Sequence, residues 1–224
     1  MSATRIGLAI LVLLLGIAFV LFLPAGRIDW YAAWVWLGIM LVGLLVIREV
    51  VVKAHPGLPA RRRTVGAGTP AWDRRILTVF RSAVLTTLLV SALDAGRYGW
   101  SSLPRATEGL GVLFLVAGLS LFGTSVVHNP FFESTVRIQS DVGHTVTSSG
   151  PYRVVRHPGY VGLLLVALGT PLVLGSAWAL IPAGVAGASL LLRTAKEDRY
   201  LREQLAGYAE YSAKTRFRVI PWVW

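Results

Sequence analysis

The sequence predicts an all-α, polytopic membrane bundle of five to six transmembrane helices, and three observations carry that prediction. Of 224 residues, 54% are hydrophobic and only 15% charged, against roughly 25% charged in soluble domains. Mean hydropathy is +0.62. The apolar residues also fall in long uncharged runs, with the charges gathered between them. Runs of about 18 residues or more are long enough to span the hydrocarbon of a bilayer as helices.

Residues 6–23 form the first run, 18 residues without a charge. Only Arg5 precedes it, it exceeds the roughly 7–15 residues of a signal-peptide core, and no small-x-small cleavage site follows, so it reads as an anchor. Residues 30–47 give another 18. The segment 76–93 is apolar apart from Arg81 near its start, whose long side chain can snorkel; this segment decides between five and six spans. Residues 109–127 supply 19 and residues 158–192 supply 35. The last run is too long for one crossing and is punctuated by Gly169, Pro171, Gly175, Ser176 and Pro182. It predicts two helices, about 158–174 and 177–200, joined by a hairpin at Gly175-Ser176. The chain thus divides into an N-terminal part, 1–108, with about three spans and a basic loop at 53–75, and a C-terminal part, 109–224, with about three more.

The formal net charge of +11 raises the question of a nucleic-acid partner, and the placement of the charge answers against one. With six spans, 18 of the 22 Lys and Arg fall on one side: Arg5, Arg48, Lys53, Arg61, Arg62, Arg63, Arg74, Arg75, Arg137, Arg153, Arg156, Arg193, Lys196, Arg199, Arg202, Lys214, Arg216 and Arg218. Only Arg27, Arg97 and Arg105 fall on the other. The positive-inside bias makes the crowded side cytoplasmic, with both termini there. Arg61-Arg62-Arg63 reads as a cluster facing anionic headgroups. The absence of cysteine excludes disulfides, thiolate metal sites and a cysteine nucleophile.

Two intervals on that side are rich in polar and aromatic residues: 128–160 and 193–224. Pro158 suits the first turn of a helix and pushes His157 towards an extended conformation. Residues 156–160 therefore enter a helix N-terminus, which favours an anionic group. Tyr152 and Tyr160 are candidate aromatic walls. Taken singly, His157 reads as a structural histidine, Arg193 and Glu197 as an i,i+4 ion pair, and Tyr208 and Tyr211 as interfacial anchors. His55, His128, His144 and His157 lack metal-ligand spacing, so no metal is expected. Gly66-x-Gly68 and Gly109-x-Gly111 are lone pairs, not a dinucleotide fingerprint.

Together, Gly150-Pro151-Tyr152 and Arg156-His157-Pro158-Gly159-Tyr160-Val161-Gly162 match the R-H-P-x-Y-x-G signature of the isoprenylcysteine carboxyl methyltransferase family, part of a wider membrane methyltransferase group that includes phospholipid N-methyltransferases. A second signature, an acidic pair preceded by Arg, appears as Arg193, Glu197 and Asp198, with Asp in place of the usual second Glu. A Y-x-x-Y…R…I-P tail follows at Tyr208, Tyr211, Arg216 or Arg218, and Ile220-Pro221. The resemblance spans about residues 109–224.

It implies S-adenosyl-L-methionine as methyl donor on the cytoplasmic side of a multi-pass bacterial or archaeal inner-membrane protein. Tyr152, Arg156, His157, Pro158, Tyr160, Gly162, Glu197 and Asp198 would form the donor site. Arg193, Asn129, Tyr208 and Tyr211 would meet the acceptor, with Arg193 and Glu197 as the catalytic pair. The expected acceptor is a lipophilic small molecule or lipid-modified group reached from the membrane lipids. An isoprenylcysteine-type carboxylate is favoured, and a phospholipid amine or small thiol stays open. An Arg could align a carboxylate by a planar two-point contact, whereas an amine or thiol would need His157 or Glu197 as base. Two other classes remain: an NADPH-dependent reductase of the sterol-reductase type, and a non-catalytic lipid-binding or assembly protein.

Overall fold

The computed structural model describes residues 3–62 and 68–224, with side chains from residue 7 onward. Arg63, Gly66 and the Arg5 side chain, which entered the charge and glycine readings, lie outside them. Each apolar run becomes a helix. In order these are α1 (Ala3–Ala25), α2 (Tyr31–Ala54), the single turn α3 (Leu58–Arg61), α4 (Ala71–Ser91) running into a π-helix (Ala92–Tyr98), α5 (Ala106–His128), α6 (Pro158–Leu174), α7 (Leu180–Gln204) and the short α8 (Tyr208–Lys214).

By length and composition, α1, α2, α4 with its π-helical extension, and α5 can each cross a membrane. The Arg81 segment is therefore part of a single 28-residue helix. Apolar α6 has 17 residues, and the apolar part of α7 ends at Leu192, after which the helix carries Arg193 to Gln204 beyond it. The hairpin between α6 and α7 is longer than the sequence predicts. Gly175 closes α6 at φ 78°, a left-handed conformation that glycine adopts without steric cost. Residues 177–179 then form a turn, and the Ser176 hydroxyl accepts the Ala179 N–H at 3.1 Å, so α7 starts at Leu180 rather than 177.

Glycines set the packing of α5 against α6. Gly111 and Gly118 on one helix face Gly169 and Gly162 on the other, each pair seven residues apart. A Cβ on Gly118 would lie 2.6 Å from the Gly162 carbonyl oxygen, and one on Gly111 2.9 Å from that of Gly169. Small residues allow such backbone approach in membranes, where close packing rather than hydrophobicity joins helices. Outward-facing Leu11, Val12, Leu15 and Phe19 of α1, and Val42 and Val46 of α2, are exposed, as a lipid-facing surface requires. Tyr31, Trp34, Trp100 and Trp178 are exposed at the end away from the R-H-P loop, where aromatic side chains suit a membrane interface.

Candidate active site

Between α5 and α6 the chain crosses one end of the bundle as a lid, residues 129–149, and the tail after α7 folds back beneath it. Backbone bonds join the R-H-P segment to that tail: Arg156 N–H donates to Phe217 O and His157 N–H to Arg218 O, both at 2.9 Å. Lid, R-H-P segment, charged part of α7 and α8 together wall a cleft of about 760 Å³, its open mouth included. Asn129, Tyr152, Arg156, His157, Tyr160, Arg193, Glu197, Tyr208 and Tyr211, all singled out in the sequence, line it. Three others do not. Pro158 is buried as the first residue of α6, Gly162 faces α5, with a Cβ there reaching Phe122 N at 2.8 Å, and Asp198 sits behind the wall.

Asp198 is the anchor of that wall. Its carboxylate takes a two-point contact from Arg156, Nε at 2.7 Å and Nη2 at 3.1 Å, plus Arg218 Nε at 3.0 Å and the Tyr208 hydroxyl at 3.1 Å. Arg202 lies at 3.4 Å. Burial alone would raise this carboxyl, but hydrogen bonds from His157, Arg156 and Arg218 hold it well below the usual carboxylate range. The remaining Arg156 nitrogen, Nη1, donates to the carbonyls of Thr215 and Arg216, each at 2.7 Å. Every nitrogen of that guanidinium is thus engaged by the protein, and both members of the pair tie α7 to the tail.

Glu197, one residue earlier, faces the cleft. Its Oε2 accepts from the Tyr160 hydroxyl across 37 residues, and the Tyr160 ring lies parallel to His157 with centroids 5.6 Å apart. Arg193 stands over the other side of Tyr160, its guanidinium carbon 5.3 Å from the ring centre. Asp73 of α4 takes Arg193 Nε at 2.7 Å and Nη2 at 3.4 Å, and Ser134 O accepts from Nη2 at 3.0 Å. The planar edge expected to clamp an acceptor carboxylate is therefore held by Asp73, and Nη1 has none of these bonds.

Tyr208 and Tyr211 are buried, not interfacial anchors. Tyr211 donates to Tyr152 O at 2.7 Å, and burial pushes its phenol up to about 12. Burial likewise pushes Tyr152 and Tyr208 far above the ordinary phenol value, so both stay neutral donors. Tyr152 and Asn129 meet at 3.3 Å, while the Asn129 carbonyl accepts Phe131 N–H. The basic cluster after α3 also departs from its sequence reading. Arg61 donates to Gln139 and Pro130 O, and Arg62 to Phe132 O at 2.7 Å while lying 5.1 Å over the Phe132 ring. Open carbonyls of the lid, rather than headgroups, take these two cations.

Sequence reasoning gave no site role to Asp73, Glu133, Arg137 or His144. Glu133 and Arg137 pair through two bonds at 2.8 and 3.0 Å, Asp141 adds a third at 2.9 Å, and the Phe131 ring lies 4.6 Å from His144. Asp73 had one available signal: it is the sole acid between Glu49 and Asp94, placed where a helix enters the membrane.

Residues 111–203 match the isoprenylcysteine carboxyl methyltransferase (ICMT) family. Probable protein-S-isoprenylcysteine O-methyltransferases of Oryza sativa, from subspecies indica and japonica, are each 27% identical over 156 residues, covering 60% of this chain and 79% of theirs. The cobalt-zinc-cadmium resistance protein CzcN of Cupriavidus metallidurans is 28% identical over 141 residues, covering 59% of this chain and 58% of its own. The match spans α6 with its R-H-P entry and α7 with its acidic pair, the two walls of the cleft, and over that part the chain is similar to the isoprenylcysteine carboxyl methyltransferase family of membrane methyltransferases.

Proposed function

We propose that this chain transfers a methyl group from S-adenosyl-L-methionine to the carboxylate of a lipophilic, prenylcysteine-like acceptor, in the cleft between lid and α7 and on the cytoplasmic side. The observation that carries the reading is Glu197: a half-buried carboxylate that makes no salt bridge among the described residues, held by Tyr160 in an aromatic wall. Such a charge is complementary to a cation, and the donor is cationic at its sulfonium and its ammonium. Tyr152, Tyr160 and His157 add ring faces that suit a cation or a planar base. The residues present therefore fit the group.

When bound, the donor supplies an electron-poor methyl carbon open to in-line attack. The protein's contribution is positioning and exclusion of water. Glu197 holds the donor's cationic end, and Tyr160 fixes that carboxylate by donating its phenolic proton. Arg193, oriented from behind by Asp73, directs Nη1 to the acceptor carboxylate by a one-point contact. A carboxylate has no proton to lose, so no general base is required. Phe131 and Phe132 of the lid cover the reacting atoms. The rice relatives, probable protein-S-isoprenylcysteine O-methyltransferases, support the acceptor class, as does retention of Arg193.

The test pairs calorimetry with a transfer assay. Detergent-purified protein should bind S-adenosylhomocysteine, and Glu197→Ala should lose that binding while eluting as wild type. Arg193→Ala should retain binding and lose transfer of labelled methyl to farnesylcysteine. Normal binding by Glu197→Ala would remove Glu197 from the donor site. Label appearing only on an amine lipid would reassign the acceptor.

A further inference from the structure

Beneath the cleft lies a second cavity, of about 990 Å³ with its open side included, between α1, α2, α4, α6 and α7. It begins one turn of α6 beyond Tyr160, at Leu163, and Tyr160, Leu190 and Phe80 pack between the two spaces. Its polar lining groups are already satisfied: Thr87 donates to Ala83 O, Trp36 Nε1 to Thr170, and Thr170 to Val166 O. A lining without free donors or acceptors suits a hydrocarbon chain and offers a polar molecule nothing.

One group at the rim breaks the pattern. Arg81 lines the cavity, is exposed, and makes no hydrogen bond or ion pair among the described residues. It stands ten residues into α4, about 15 Å from the helix start. A lone guanidinium facing lipid at that depth is costly unless it reaches the headgroups or an anion. Arg74 lies two turns nearer the helix start on the same face, about 10 Å away, also exposed and without a side-chain partner. Two cations on one stripe thus lead from the membrane surface to the rim of an apolar cavity.

We propose that this groove is a binding site for one anionic glycerophospholipid of the leaflet on the cleft side, its phosphate held by Arg81 and Arg74 and one acyl chain filling the cavity. The site is independent of the methyl transfer reading, since the lipid is a resident ligand and not the acceptor. The two arginines supply the charge selectivity, each favouring an anionic over a zwitterionic headgroup by roughly fivefold. Val84 and Leu85 of α4 form the edge over which the chain enters.

Native mass spectrometry of the detergent-purified protein, exchanged against phosphatidylglycerol or phosphatidylcholine, tests this. The wild type should retain one phosphatidylglycerol and little phosphatidylcholine. Arg81→Gln should lower that retention about fivefold, Arg81→Lys should largely keep it, and Val84→Trp, which fills the groove with both arginines intact, should abolish it. Only protein eluting as wild type is scored, and the charge and groove variants stand independently of each other. Equal retention of the two lipids, or wild-type retention by both Arg81→Gln and Val84→Trp, would overturn the site. Displacement of the retained lipid by farnesylcysteine would also overturn it, because the groove would then belong to the acceptor.

Discussion

Two buried aspartates stand at opposite ends of the helix bundle and are satisfied in opposite ways. At the cleft end, Asp198 is surrounded by cations: Arg156, Arg218 and Arg202. At the far end, Asp94 in the π-helix pairs with no cation among the described residues. It accepts from Ser101 N–H at 2.7 Å, from the Ser101 hydroxyl at 2.5 Å and from the Ser176 hydroxyl at 2.6 Å. Ser101 in turn accepts Ala177 N–H at 2.9 Å. The far end is one carboxylate held by neutral dipoles, which staples the end of α4 to the α6–α7 turn. The cleft end is a web of full charges whose parts come from α4, the lid, α7 and the tail. An aspartate held by neutral dipoles fixes helices in place, whereas the charged web also leaves one carboxylate, Glu197, facing the cleft with no salt bridge among the described residues.

The contrast predicts unequal costs for the same isosteric change. Asp198→Asn removes the one anion shared by Arg156 and Arg218 and leaves two guanidiniums uncompensated, one of them fully buried. Breaking a buried pair in this way costs about 3–5 kcal/mol, and the melting temperature in detergent should fall accordingly, with the tail from residue 208 becoming protease-sensitive first. An unchanged melting point would show that the tail carbonyls alone hold Arg156.

Asp73→Asn comes next, because it uncouples one guanidinium rather than two. Asn can still accept Val136 N–H, which Asp73 binds at 2.9 Å, so the lid keeps one tie. Arg193 loses its counter-ion and gains freedom to swing towards the cleft. The expected loss is about 2–3 kcal/mol, between a charged hydrogen bond and a fully broken pair. Acceptor KM should rise more than S-adenosylhomocysteine affinity falls. Equal effects on both would mean Asp73 supports the whole cleft rather than Arg193.

These two predictions also mark what the sequence could and could not reveal. The helices were legible because a membrane span is written as a run of apolar residues, and the shared side of the lid and tail followed from counting Arg and Lys. The cleft residues His157, Tyr160, Arg193 and Glu197 were legible because they occur in short, ordered motifs. Partnerships were not. Asp73 meets Arg193 across 120 residues, and nothing local distinguishes that acid from one beside Arg74 and Arg75 on a solvated helix start. The same blindness gave Arg61 and Arg62 to the headgroups when the lid carbonyls claim them. It also placed Gly162 in the cleft, although the pairing of Gly162 with Gly118 depends on how two helices meet.

At the far end, Asp94→Asn should be milder. The amide oxygen can replace one carboxylate oxygen, and what is lost is the charge assistance to the Ser101 and Ser176 hydroxyls. A cost of about 1–2 kcal/mol is expected, read as melting temperature. Hydrogen exchange should rise at residues 176–180 and not in the lid. A loss as large as that of Asp198→Asn would mean the two ends bear equal load.

The smallest effect separates the ends by pH. All four histidines lie in segments at the cleft end, and histidine is the side chain whose charge changes most readily near neutral pH. His144 is the informative one. Burial lowers its pKa below the ordinary 6.5, although Glu133 opposes the shift and Arg137 assists it. The folded lid therefore prefers the neutral ring, which packs at a tilt against Phe131. The stability this gives is complete above 6.5 and is lost as pH falls through the lowered folded value, since the opened lid takes up the proton more readily. Lid amides at 129–149 should therefore exchange faster as pH falls from 7 to 5, after correction for intrinsic rates, while residues 92–101 stay unchanged. His144→Phe keeps a ring against Phe131 and removes the titration, so it should flatten the lid's response. A lid that loosens equally in His144→Phe would show that His144 does not carry the pH dependence.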